Sequence, residues 1–169
     1  MTPEAERYRI LLESLDAWHA AAKLRHPGAI PCRVGCTACC HGPFDISVAD
    51  VLLLRDTVNE LPAARREAIR ARARAAAARQ RTLAPDWQAP HDVRTLGEAR
   101  FDAVCDALAS EPCPCLDEGA CAVYAGRPAV CRLMGLGLES PDGRVLPNGR
   151  PTQAQRPRNK VPPTQPLEP

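Results

Sequence analysis

CRVGCTACCH, residues Cys32 to His41, places four cysteines in ten positions, and two of them, Cys39 and Cys40, are adjacent. A second concentration, EPCPCLDEGACAVYAGRPAVCRLM from Glu111 to Met134, adds Cys113, Cys115, Cys121 and Cys131. Thiolates are soft, strongly donating ligands, and dense cysteines select zinc, Cu(I) or iron–sulfur clusters. The spacings are Cys32-x3-Cys36-x2-Cys39-Cys40 and Cys113-x-Cys115-x5-Cys121-x9-Cys131. Neither is the repeated C-x2-C of a zinc ribbon. Consecutive Cα atoms are about 3.8 Å apart and consecutive side chains tend to diverge, so Cys39 and Cys40 do not comfortably share one tetrahedral zinc. One of the two faces a second metal, turns into the core, or bridges two metals. His41 reads as an exposed residue more than as a ligand.

The segments around these blocks read as helices. A first helix is predicted from about Pro3 to Leu24, with Thr2 as N-cap and Pro3 at the first helical position, where its missing N–H costs nothing. Tyr8, Leu11, Leu12, Leu15 and Trp18 fall at helical spacing on one apolar face. His19 and His26 read as surface or helix-end residues, and Pro27-Gly28 is a stop signal. Ser47 opens a second helix, with Asp50 in the position of a capping-box acid and Val48, Val51, Leu52 and Leu54 as its apolar residues, ending near Asn59. Leu61-Pro62 opens a long Ala/Arg helix to Arg81, well supported by propensity. Thr82 to Thr95, broken by Pro85 and Pro90, reads as a loop. A further helix is expected over about Leu96 to Ser110, with Cys105 as a small core residue. Asp117-Glu118-Gly119 turns a small hairpin between Cys115-Leu116 and Cys121-Tyr124. Gly126-Arg127-Pro128 then leads into a short helical turn carrying Cys131 and Arg132.

The fold class that follows is mainly α: a small helical domain, residues 1–138, in which metal joins two Cys-rich loops. The polar, Pro-punctuated residues 139–169 bury almost nothing and read as a disordered tail. Aromatics are only 4% of the 169 residues, so Ala, Leu and Val must fill the core. No run of about 18 apolar residues exists, so no membrane span is expected. The acidic, amphipathic N-terminus MTPEAERYRILLESL lacks the basic start and apolar stretch of a signal peptide. The expected compartment is therefore the reducing cytoplasm, where nine cysteines are metal ligands sooner than disulfide partners. Leu61 to Arg81 holds seven arginines against one glutamate, a local charge of +6. The net charge of +2 and the lack of interleaved aromatics favour a solvated helix face over a nucleic-acid surface.

The ordered cysteines Cys32, Cys36, Cys39, Cys40, Cys113, Cys121 and Cys131 carry a resemblance, together with FDISVADVLLL, Pro112-Cys113, LDEGACAVY and RPAVCR. The chain resembles the bacterial and archaeal cysteine-cluster proteins described as zinc- or iron-chelating, the CxxCxxCC or YkgJ-like family, over roughly residues 32 to 132. The resemblance implies that these seven cysteines are the metal ligands, for zinc or an iron–sulfur cluster such as [4Fe–4S]. Cys115 departs from the family pattern. Four thiolates leave a net charge of −2 around either Zn²⁺ or [4Fe–4S]²⁺, so nearby cations are needed. Arg33, Arg127 and Arg132 are placed in sequence to supply them. Cys32-x3-Cys36-x2-Cys39 is also similar to the cluster loop of radical S-adenosylmethionine enzymes, whose barrel this chain is too short to build. Flagellin lysine methylases carry a similar cysteine pattern in a longer chain, so a metal- or cluster-dependent transferase is one alternative reading. A basic-helix module for nucleic acid or an acidic partner is the other. No HExxH, Gly-rich nucleotide loop or nucleophile with a recognisable base is present, which favours a chelator over an enzyme.

Overall fold

The computed structural model describes residues 3–28, 30, 35–136, 138, 139, 143, 145 and 146, and it is mainly helical, as the sequence predicts. Thr2, Cys32 and Arg33 lie outside the described residues, as does most of the segment after Leu136. Among the described residues, no helix is long and apolar enough to cross a membrane. The chain divides into two compact units, residues 1–39 with 128–169, and residues 40–127.

In the first unit, α1 (Pro3–Arg25) runs one residue beyond its expected end. Glu4 and Glu6 in its first turn and Lys23 and Arg25 in its last complement the helix dipole. The buried stripe differs from the expected one in a single register position. Leu12 and Ala22 are buried, while Leu11 is 47% exposed. Ala22 packs with Ile30 and Leu136, and Trp18 and Leu133 lie against that cluster. The short α6 (Ala129–Leu133) is the predicted helical turn carrying Cys131 and Arg132, and it packs on α1. Arg132 is buried and its guanidinium pairs with Asp16 of α1. β3 (Leu138–Glu139) and β4 (Val145–Leu146) form an antiparallel pair, with Leu138 opposite Leu146, where the sequence suggests no regular element.

In the second unit, α2 (Val48–Glu60) begins as its cap signal requires. Ser47 Oγ accepts from the Asp50 N–H at 3.1 Å, and the Ser47 N–H donates to Asp50 Oδ2 at 3.0 Å. These reciprocal bonds satisfy two N–H groups that the helix itself leaves unpaired. Its outward side is more apolar than expected: Val48, Val51 and Leu52 are exposed. α3 (Ala63–Leu83) matches the Ala/Arg segment.

The helix expected from Leu96 to Ser110 is present as α5 (Glu98–Ala107), and a four-residue helix, α4 (Val93–Leu96), ends the segment expected to be a loop, separated from α5 at Gly97. Gly97 has φ +83°, ψ +148°, a backbone region essentially confined to glycine, and it breaks the α-helical path. Trp87, in the segment expected to be a simple loop, is buried with Ala84, Leu96, Val104 and Leu108. Its indole N–H donates to the Asp92 carbonyl at 3.0 Å, and its ring meets Phe101 edge-on. Cys105, expected as a small core residue, is not a member of this core and is half-buried. The predicted hairpin is present: β1 (Leu116–Asp117) pairs antiparallel with β2 (Ala120–Cys121). Glu118 and Gly119 at its tip have φ +47° and +77°, the paired positive values a tight two-residue hairpin requires.

Candidate metal centre

The second cysteine block is built around a backbone splice. The Cys113 N–H donates to the Cys40 carbonyl at 2.8 Å, and the Gly42 N–H donates to the Glu111 carbonyl at 2.7 Å. His41 and Pro112 form the bridge between them. Cys40, from the first block in sequence, is thereby fixed beside Cys113. Its neighbour Cys39 belongs to the other unit.

From Cys113 the chain turns tightly. The Leu116 N–H donates to the Cys113 carbonyl at 2.9 Å, and the Ala122 N–H returns to the Cys115 carbonyl at 2.9 Å. Cys121 lies opposite Leu116 in the hairpin. The Cys113 and Cys115 thiols hydrogen-bond to one another, and Cys121 is near enough for its charge to act on Cys115. Cys113 is drawn down to about 6. The largest cause is the thiol hydrogen bond from Cys115, with the Cys115 and Leu116 backbone N–H groups and the Arg72 charge adding to it against the opposing effect of burial. Cys115 is pushed well up, because it keeps the shared proton and is desolvated.

Helix α3 holds this segment in place through three arginines seven residues apart, two turns each, on one stripe. Arg79 pairs with Glu111 at 2.6 Å, Arg72 Nε donates to the Pro114 carbonyl at 2.8 Å, and Arg65 pairs with Asp117 at 2.9 Å. Arg70 and Arg74 pair with Glu67 on the same helix. Arg72 is the functional candidate that reading the sequence misses. The spacing of 65, 72 and 79 is visible in the sequence, but its partner segment lies more than 30 residues downstream.

The other expected site residues are distributed as follows. Cys36, Cys39 and Cys131 are half-buried cysteines of the first unit; Cys40, Cys113, Cys115 and Cys121 are half-buried cysteines of the second. Cys32 is not among the described residues. Arg127, expected beside the metal, stacks on the Tyr124 ring with Cζ 5.5 Å from its centroid, and Arg132 pairs with Asp16. His41 is exposed. Among the described residues, no three His, Cys, Asp or Glu side chains are grouped so that they could hold a metal ion. The donor chemistry nevertheless suits a soft metal: Cys40, Cys113, Cys115 and Cys121 all offer sulfur, and the Cys113 thiol is drawn down to about 6.

A cleft of about 200 Å³, walled by Ala73, Ala76, Ala77 and Leu108, opens onto Cys113. A thiol titrating near 6 is about nine-tenths thiolate at pH 7. Cys105 is pushed up from 9.0 by burial and by Asp102, Asp106 and Asp45. Iodoacetamide labelling of metal-free protein, followed by mass spectrometry, is expected to modify Cys113 ahead of Cys105 and Cys115, with its rate falling as pH drops through about 6. Cys105 and Cys115 should lag at neutral pH. Equal labelling of Cys113 and Cys105 at pH 7 would count against this ordering.

Comparison with known proteins gives one match. The family model described as "CxxCxxCC: Putative zinc- or iron-chelating domain" matches residues 31–143, more than half of the chain. Searches of curated proteins and of solved structures return no match.

Proposed function

The chain belongs to the CxxCxxCC family, whose described property is chelation of zinc or iron, and we propose that Cys32, Cys36, Cys39, Cys40, Cys113, Cys121 and Cys131 are its metal ligands. The observation that carries this reading is the Cys113 thiol, held largely as thiolate at neutral pH beside Cys115 and spliced through its backbone to Cys40. A metal ligand must be deprotonated, so a depressed thiol is already in the binding form. Binding of the metal and ordering of its ligands are coupled, and part of the folding free energy resides in the holo state.

Zinc and an iron–sulfur cluster both suit an all-thiolate donor set and carry the same net charge with four thiolates. Arg127 and Arg132 neighbour Cys121 and Cys131 in sequence and are proposed as charge-compensating residues, alongside Arg72 of α3. Anaerobic purification followed by iron and zinc analysis and a visible spectrum tests the reading. Stoichiometric iron with broad visible absorption identifies a cluster, and stoichiometric zinc in a colourless protein identifies zinc. A fully folded chain that takes up neither metal would refute chelation.

A further inference from the structure

Cys115 lies outside the cysteine pattern of the family, yet its contacts place its thiol against that of Cys113. Its thiol hydrogen-bonds Cys113, its carbonyl accepts the Ala122 N–H at 2.9 Å, and Cys121 stands within electrostatic reach. A spare thiol elsewhere in the chain looks different. Cys105 is half-buried, and the charged groups acting on it are Asp102, Asp106 and Asp45.

Arg72 adds an independent observation. Its Nε is engaged by the carbonyl of Pro114, the residue between the two cysteines, at 2.8 Å. Its Nη2 is buried and has no hydrogen-bond partner among the described residues. A buried guanidinium N–H left unpaired costs free energy that a partner would recover. The positive charge acts on both Cys113 and Cys115. Metal-bound thiolate sulfur is a hydrogen-bond acceptor, and donors of this kind orient and stabilise the ligands they touch.

We propose that Cys115 is an additional metal-ligating thiol of this chain, paired with Cys113, and that Arg72 is the positioning residue that donates to their metal-bound sulfurs. This rests on the chelation reading above and extends it by one donor and one cation. The pairing also accounts for the arginine stripe of α3: Arg65 and Arg79 clamp the two ends of the 111–117 segment, and Arg72 reaches its middle, where the sulfurs are.

The test is anaerobic titration of the full reduced chain with Co²⁺, reading the sulfur-to-cobalt charge-transfer band, with competition by Zn²⁺ for affinity. Cys115→Ser is expected to lose part of the band intensity per bound cobalt and to weaken affinity about tenfold or more; Cys105→Ser should match the wild type. Arg72→Met should shift the band and weaken binding, and Arg72→Lys should recover part of the loss; a purely structural role for Arg72 would leave the band position unchanged in the metal that still binds. Cys115→Ala serves if the serine variant misfolds by circular dichroism. An undiminished band and affinity in the folded Cys115 variants would overturn the inference while leaving chelation standing. Absence of any band in the wild type would overturn both.

Discussion

Cys113→Ser is expected to lower the metal content of the purified protein by at least half and to reduce its melting temperature in the metal-loaded form, while Cys105→Ser changes neither. Cys113 is the point at which the local arrangement converges. Its N–H ties it to Cys40, its carbonyl closes the turn toward the hairpin, and its sulfur is drawn down to about 6. A serine oxygen keeps the backbone splice and the approximate volume. It removes the soft donor, and its hydroxyl does not ionise near neutral pH. Structural zinc sites contribute about 10–16 kcal/mol of apparent binding free energy at pH 7, so losing one ligand of such a set weakens a term comparable to the whole stability of a small domain. The control is informative because Cys105 carries a thiol pushed up by burial and three aspartates. Metal analysis of the two variants beside the wild type, with thermal melts before and after chelator treatment, measures the difference. Equal metal in wild type and Cys113→Ser would remove this residue from the ligand set.

What the sequence reveals about this molecule is what local chemistry decides. The Ser47–Asp50 capping box, the Glu118-Gly119 turn and the helical turn carrying Cys131 all depend on residues within a few positions of one another, and each is found where the sequence places it. The misreadings are tertiary. Trp87 sits between two prolines, a loop signature, and is buried only because α4 and α5 fold back over it. Leu11 satisfies the helical periodicity of α1 as well as Leu12 does, and packing alone decides which of them is buried. The α3 arginines are indistinguishable by composition from a solvated basic face until Glu111, Pro114 and Asp117 are brought against them. The adjacent cysteines lie between these cases: backbone geometry says that they diverge, and only the fold says that one of them joins Cys113.

Gly126→Ala is expected to destabilise the second unit by about 1–3 kcal/mol, the usual cost of overpacking a filled interior, even though one methyl group is the entire change. Gly126 ends the single 3-10 turn Tyr124–Gly126 and is buried where that turn packs on α2. A Cβ at this position would fall 2.8 Å from the Cβ of Thr57 and 3.2 Å from the Leu53 carbonyl oxygen, and closer still to Thr57 Oγ1. Two of these neighbours belong to a rigid helix, and the third is not free to swing away. Thr57 is β-branched, its rotamers in a helix are few, and its hydroxyl already donates to the Leu53 carbonyl at 2.8 Å. Relief therefore requires the turn to lift off α2, which would shift the chain just after Cys121 and the Arg127 guanidinium stacked on Tyr124. Thr57→Gly should be destabilising alone, through helix propensity and lost packing, yet should rescue part of the Gly126→Ala defect because it clears both close contacts. A double-mutant cycle by chemical denaturation measures this coupling, and residues in direct contact typically show 0.5–3 kcal/mol of it. Strictly additive losses would mean that the turn does not press on α2 at Thr57.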